Sequence, residues 1–393
     1  MASAWKAERV RSATTTVFAE MSALALATES VNLGQGFPDT DGPEPMLAAA
    51  RDAITAGLNQ YPPGRGIPAL RAAVVAHSRR HYGLGYDADT EVVITTGATE
   101  AIAAALLAFV DPGDEVIALE PFYDSYAASI DLAGGTRVGV GLFGPDFRLD
   151  HAELAAAFSD RTKLVLINSP HNPTGTVLSG DDLAEIARLA VAHDVLVVCD
   201  EVYEHLVFDD AEHLPLAGFP GMRERTLRIS SSGKTFSATG WKIGWALGPA
   251  ELVGELTAVK QFLTFVSGAP FQPAIAWALN EGDAWVESNR LALQGKRDRL
   301  AAGLRGIGLD PVLPRGTYFM TTDVRPLGYG DGVEFCRDLP HRCGVVAIPH
   351  QVFYDDVEAG RPYVRWAFCK SDEVLDEAIR RLSLLAAAPA AAR

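Results

Sequence analysis

Residues able to do chemistry recur at one kind of place along this sequence, directly after a short apolar run and just before a helical period. Asp200 follows the run VLVVC and leads into Glu201-Val202-Tyr203. Lys234 closes Ser230-Ser231-Ser232-Gly233-Lys234, and Thr96-Gly97-Ala98-Thr99-Glu100 and Asn168-Ser169-Pro170-His171-Asn172-Pro173-Thr174-Gly175 each follow another such run. A lysine amine can form a Schiff base with a carbonyl and, once freed, can move protons. A carboxylate at a buried strand end stabilises a neighbouring cation. The free N–H groups of a helix start, helped by the helix dipole, hold an anion. Singly, each has a plainer reading. Gly97-Ala98-Thr99 is an ordinary strand-to-helix turn, Asn172-Pro173-Thr174-Gly175 is turn chemistry by composition, Asp200 suits a helix cap and Lys234 a surface position.

The elements that would position these residues can be read from the alternation of short β-rich runs with helical periods after about residue 90. Strands are expected at 92–95, 115–119, 137–142, 163–168, 195–200, 226–230 and 243–247. A helix over 181–193 is expected to start at a capping box of Ser179 and Asp182, and the segment 101–110, apolar all round, to be a central buried helix. The expected fold is α/β, a large domain with a mainly parallel seven-stranded sheet flanked by helices. After about residue 289 the texture changes. A charged helix over 290–304, strands at 318–322, 345–349 and 363–368 and an amphipathic helix over 372–385 predict a smaller α+β domain. The chain is thus divided into an arm (1–45) belonging to the small domain, a large domain (46–290) and the rest of the small domain (291–393), with an Ala-rich tail from Ala386.

Composition bounds the function. At 393 residues with 48% hydrophobic side chains, the chain has ample material for two packed cores. Its net charge of −16 disfavours nucleic acid and anionic membranes as partners. The opening MASAWKAERV has no apolar core of a secretory signal, and no apolar stretch spans a bilayer, so a soluble cytoplasmic protein is expected. Cys199, Cys336, Cys343 and Cys369 form no CxxC pair and read as buried free thiols. Two glycine motifs fail on counting. Gly34-Gln35-Gly36 would need its third dinucleotide-binding glycine at Asp39, and Gly233-Lys234 would need the first P-loop glycine at Arg228. No metal is expected, since neither HExxH nor a zinc-spaced Cys/His set is present. An anion cradle, a strand-end carboxylate and a strand-end lysine are together what a phosphorylated pyridine aldehyde requires.

At these residues the chain resembles the fold-type I, class I aminotransferases that use pyridoxal 5'-phosphate. The motifs are NLGQGFPD (32–39), NQYPP (59–63), EPFYDSY (120–126), NSPHNPTG (168–175), DEVYEHLVF (200–208) and SSSGKTFSATGWKIGW (230–245). The last is close to the kynurenine, glutamine and methionine aminotransferase branch, and the whole chain is similar to actinobacterial enzymes described as N-succinyldiaminopimelate aminotransferases. The resemblance implies a homodimer with shared active sites, exchanging an amino group between an L-amino acid and a 2-oxo acid in ping-pong fashion. It implies that Lys234 carries the cofactor as a Schiff base, that Asp200 pairs with the pyridine nitrogen, and that Asn172 and Tyr203 hydrogen-bond the ring's phenolic oxygen. Tyr123 would stack on the ring. Gly97, Ala98 and Thr99, Ser231 and Lys242 would hold the phosphate, with Tyr61 reaching in from a second subunit.

Arg365 is the implied α-carboxylate clamp, because a guanidinium offers two parallel donors, with Gly36 and Asn172 assisting. Departures fall in the pocket lining: Val17 stands where an aromatic is common, His171 for an Asn and Thr99 for a Tyr. The segment 262–271 (FLTFVSGAPF) offers no second arginine, so a large neutral, sulfur or aromatic substrate side chain is expected, with Phe265 in its wall. A succinylated substrate would need another cation, Arg65 or Arg315. A cysteine-conjugate β-lyase or cyclase on the same scaffold is the alternative. A DNA-binding regulator is disfavoured because only about thirty residues precede Asn32, too few for a helix-turn-helix module.

Overall fold

In the computed structural model, which describes residues 16–387 together with Trp5, Ala7 and Arg9, one large sheet and one small sheet carry the molecule. The rest of the expected N-terminal arm and the end of the Ala-rich tail lie outside the described residues. Across the large sheet the strands run Val92–Thr95, Gly244–Leu247, Thr226–Ser231, Leu196–Asp200, Thr162–Asn168, Glu115–Glu120, Thr136–Phe143 and Arg148–Leu149. Seven of these are the expected strands. The sheet has eight rather than seven because Arg148–Leu149 adds a two-residue antiparallel edge, too short to leave a periodic signal. Gly244–Leu247 is antiparallel to both its neighbours, while the five strands from Thr226–Ser231 to Thr136–Phe143 are mutually parallel.

The central strands are apolar without alternation because both faces are covered. Leu164 and Leu166 face Ala101, Ala105 and Leu106 of the Gly97–Phe109 helix, while Val165 and Ile167 pack with Leu183 and Ile186 of the Gly180–Ala192 helix. The second helix starts at the expected capping box, Ser179 with Asp182. The strand order reverses direction between Glu115–Glu120 and Thr162–Asn168, and the C-terminal edge of an open α/β sheet at such a switch is where ligands bind.

The second sheet is antiparallel, in the order Pro311–Val312, Phe319–Asp323, Tyr363–Ala367, Ile348–Pro349. The strand expected over 345–349 is divided. Val345–Val346 pairs with Val31–Asn32, and only Ile348–Pro349 joins this sheet. Through that pairing Met21, Ala25 and Leu33 share one apolar core with Phe335, Val345, Trp366 and Leu382. The charged helix is longer than its periodicity suggested, Asp283–Gly306. Among the described residues no helix is long and apolar enough to cross a membrane, and the four cysteines are buried and unbridged.

A buried ion cluster braces the segment after Asp200. The Arg228 guanidinium donates to Glu201 at 2.8 and 2.6 Å and to Ser78 Oγ at 2.9 Å, and the Ser230 hydroxyl donates to Glu204 at 2.5 Å. With all the charges buried, removing the cation leaves carboxylates uncompensated. Arg228→Ala is therefore expected to lose ~3–5 kcal/mol of stability, read as a lowered midpoint in urea unfolding. A loss under ~1 kcal/mol would mean that the cluster is solvated.

Candidate active site

The C-terminal edge of the large sheet opens into a cavity of about 470 Å³. Every residue expected at the site lines it except Tyr61 and Phe265: Gly36, Gly97, Ala98, Thr99, Tyr123, Asn172, Asp200, Tyr203, Ser231, Lys234, Lys242 and Arg365. Tyr61 and Phe265 lie outside this chain's own cavity. They are exposed, and they meet each other edge to face with ring centroids 5.4 Å apart. Phe265 therefore does not form the wall of its own chain's pocket.

The site is assembled from strand ends. Asp200, the last residue of its strand, is buried and accepts the Tyr126 hydroxyl at 2.5 Å and the Val202 N–H at 3.3 Å. Burial pushes its carboxyl up to about 6, against the pull of these donors and of Lys234. Asn168, at the next strand end, donates to the Asp200 carbonyl at 2.9 Å and accepts the Asn172 N–H at 2.8 Å, fixing the turn that presents Asn172. Lys234 lies in a single helical turn after Ser231, and its amine donates to the Tyr318 hydroxyl at 2.8 Å. That hydroxyl donates to the Gly36 carbonyl at 2.6 Å. Burial lowers the Lys234 amine to about 8. Tyr203 is buried, edge-on to Tyr318 at 5.3 Å, and burial pushes the Tyr123 hydroxyl up to about 12.

Opposite stands Arg365, from the small sheet, fully buried. It donates to Asn172 Oδ1 and to the Gly34 carbonyl, both at 2.9 Å, while its Nε has no hydrogen-bond partner among the described residues. Its guanidinium lies 3.9 Å from the Phe319 ring centroid and 5.1 Å from that of Phe18, and burial lowers it to about 10. The aromatic that Val17 lacked is thus supplied by Phe18. Gly36 must be glycine, since a Cβ there would come within 2.3 Å of the Phe319 ring.

Two residues escaped the sequence reading: Phe18, whose helix phase could not be fixed without knowing that the helix starts at Val17, and Tyr318, which reads as an ordinary core strand residue. Arg65 and Arg315, suggested as extra cations, do not line the cavity. Arg65 is tied to the Asp89 and Thr90 carbonyls and Arg315 to Asp210.

These residues fit a phosphorylated pyridine aldehyde. Gly97 has φ +76° at the first turn of its helix, and a Cβ there would lie 3.1 Å from Lys242 Nζ. A Cβ on Gly244 would lie 2.8 Å from the Ala98 nitrogen. The result is a cradle of helix-start amides facing an ammonium, the donor set an anionic phosphate takes. At the other end of the cavity the buried Asp200 carboxylate makes no ion pair among the described residues, and a buried amine of lowered pKa sits between the two.

The comparisons with known proteins agree with this geometry. The family model "Aminotransferase class I and II" matches residues 28–382, and the chain belongs to that family. It is a pyridoxal-phosphate-dependent transaminase of fold type I. It is 57% identical to a probable N-succinyldiaminopimelate aminotransferase of Mycobacterium tuberculosis, over 97% of this chain and 99% of that one. It is 41% identical to a methionine aminotransferase of Escherichia coli, over 94% and 96%. The solved N-succinyldiaminopimelate aminotransferase of M. tuberculosis superposes with a TM-score of 0.95 at 58% identity, covering 97% of this chain and 100% of that one. All three are named as aminotransferases, and none as a lyase or cyclase.

Proposed function

We propose that this transaminase takes a long-chain L-amino acid of the N-succinyl-diaminopimelate type as amino donor and returns the amino group to a 2-oxo acid. The carrying observation is a second groove of about 580 Å³ that shares Thr16, Phe18 and Asp124 with the lining of the cavity and holds Arg9, Arg137 and Arg337. The near wall, Phe18 and Phe319, suits methylenes, and the distal groove has room for an acylated amine. The relative named for that substrate is the one 57% identical to this chain. Arg137 and Arg337 are paired with Asp355 and Glu20, so a distal carboxylate would exchange with these partners.

Arg365 holds the α-carboxylate, with Asn172 orienting the guanidinium. When bound, pyridoxal 5'-phosphate supplies the electron sink for the pair released at the substrate Cα. Lys234 would anchor the cofactor, and its amine, once free, would carry the Cα proton. Asp200 would pair with the ring nitrogen, Asn172 and Tyr203 would donate to the phenolic oxygen, and Tyr123 would pack against the ring. Gly97, Ala98, Thr99, Ser231 and Lys242 would hold the phosphate. Residues 1–45 and 291–393 act as a small domain over 46–290.

The test is a half-reaction screen with N-succinyl-diaminopimelate, methionine, glutamine, kynurenine and phenylalanine, followed by cofactor absorbance. N-succinyl-diaminopimelate is expected to give the highest kcat/KM. Arg137→Gln is expected to lower that value by roughly tenfold, the scale of one charge-assisted hydrogen bond, and to leave methionine unchanged. Methionine or an aromatic donor leading the panel would replace this reading by one in which Phe18 and Phe319 alone select the side chain.

A homodimer is supported by Tyr61, Phe262 and Phe265, exposed near one another's sequence neighbours and outside this chain's cavity, where a second copy can use them. Sedimentation equilibrium should give twice the chain mass, and Tyr61→Phe should weaken cofactor retention by about tenfold through one lost phosphate hydrogen bond. A monomer with full activity would refute it. A cytoplasmic location is proposed from the four unbridged thiols.

A further inference from the structure

Outside the cavity three imidazoles converge. His77 and His81 lie four residues apart on one face of the Pro68–Tyr82 helix, and His205 stands in the turn two residues beyond Tyr203. Ring centroids are 4.6 Å apart for His77 and His81 and 4.9 Å apart for each of them with His205. One nitrogen from each ring lies within 4.8 Å of the others. His77 is buried, His205 half-buried and His81 exposed, so the cluster opens to solvent on one side.

His77 Nε2 and His205 Nε2 are 2.7 Å apart, a hydrogen bond that two neutral rings satisfy between themselves. That contact accounts for two histidines but not for the third. The His81 ring turns toward the pair without joining that hydrogen bond, and its polar partner is Asp283, with Oδ1 3.3 Å from His81 Nε2. Asp283 is itself held by the Arg80 guanidinium at 2.8 Å. On the buried side Glu204 and the His213 imidazole act on His205, while Arg228, which acts on His77, is shared by Glu201 and Glu204, and both carboxylates are held low. The surroundings thus combine a neutral Arg80–Asp283 pair with an excess of one negative charge.

From this geometry we infer that His77, His81 and His205 form a zinc site. Three imidazoles suit a borderline-soft divalent ion, with a water completing a tetrahedron. Zinc–nitrogen bonds of about 2.0–2.1 Å place tetrahedral nitrogens about 3.3 Å apart. Binding therefore shifts the proton of the His77–His205 hydrogen bond to Nδ1 of the donor ring, parts that pair by about half an ångström, and draws in His81. Asp283 is the adjacent carboxylate that orients His81. The bound ion would tie the end of the Pro68–Tyr82 helix to the segment carrying Asp200 and Tyr203.

The cofactor-loaded chain, free of any histidine tag, would be dialysed against a chelator and titrated with Co²⁺ alone, followed by visible d–d absorption, with Zn²⁺ as competitor. One equivalent per chain, a tetrahedral-type spectrum and displacement by Zn²⁺ are expected. His81→Ala, at an exposed position, is expected to fold as the parent does and to weaken binding at least tenfold. Zinc should raise the melting temperature of the parent by a few degrees and leave that of the variant unchanged. His205→Asn gives a second reading of the same loss. No saturable binding, binding of other stoichiometry, or an equivalent that persists in His81→Ala would overturn the proposal and leave a hydrogen-bonded imidazole pair with a bystander.

Discussion

Lys234→Ala should lower turnover by roughly 10²–10⁴-fold from the lost proton transfer alone, with the covalent anchor lost in addition. The fold should survive, because the amine's polar partner is Tyr318, whose hydroxyl keeps its own bond to the Gly36 carbonyl. Borohydride reduction followed by peptide mapping should tag Lys234 in the parent and nothing in the variant. A tag elsewhere, or turnover within tenfold of the parent, would remove Lys234 from the chemistry. The lowered amine adds a pH signature. At about 8, in place of the usual 10.5, the neutral nucleophilic form grows in steeply between pH 7 and 9. Reconstitution of cofactor-free protein should accelerate through that window and level off above it. A rate still climbing at pH 10 would show an unperturbed lysine.

Asp200→Asn is the second large effect, and it should act on activity and stability in opposite directions. Pairing of a carboxylate with a ring nitrogen is worth about 1–3 pKa units, or roughly 1.4–4 kcal/mol, so turnover should fall by about ten- to a thousandfold. In the cofactor-free chain, however, burial of the carboxylate outweighs the pull of Tyr126, Val202 and Lys234, and its pKa is raised from 3.8 to about 6. The native state then binds the proton more tightly than the unfolded chain. Stability is therefore lost as pH rises from about 4 through 6, and the deficit is complete above that, ~3 kcal/mol for a shift of this size. Asparagine does not titrate and can still accept the Tyr126 hydroxyl. The cofactor-free variant should melt higher than the parent at pH 7.5 and equal it near pH 4. Equal melting at both pH values would mean that Asp200 is solvated, and near-parent turnover would mean that the ring-nitrogen pairing is wrong.

The strands of the large sheet could be read from sequence because each is short, apolar on both faces and ended by polar turn residues. Asp200, Asn172 and Lys234 were legible only as a set, since each alone suits a helix cap, a turn or the surface, while the strand ends taken together describe one kind of site. Arg148–Leu149 was not legible, because two residues carry no period. Phe18 was missed in favour of Val17 because a helix's sequence does not say which of two adjacent residues faces a cavity. The Thr16 cap and the position of Arg365 decide it. Tyr318 is hidden by its burial, its hydroxyl being the one polar atom on an otherwise apolar ring. Arg65 and Arg315 looked available because their partners, backbone carbonyls and Asp210, are distant or unremarkable in sequence. His77 and His81 show helical spacing, but His205 joins them only through the fold.

The pairing of Val31–Asn32 with Val345–Val346, and of Arg365 with the Gly34 carbonyl 331 residues away, bears on how the protein comes into being on the ribosome. Leu33, Met21 and Ala25 are translated well before Val345, Trp366 and Leu382, which help to bury them. At about 5–20 residues per second they wait some 15–60 s. The strands from Glu115–Glu120 to Gly244–Leu247, with Asp200 and Lys234, are all translated in the interval. A nascent chain can therefore complete the cofactor-facing edge well before the carboxylate clamp exists, so capture of cofactor can precede competence for substrate. The apolar Val17–Ala27 helix meanwhile waits with Met21 and Ala25 uncovered.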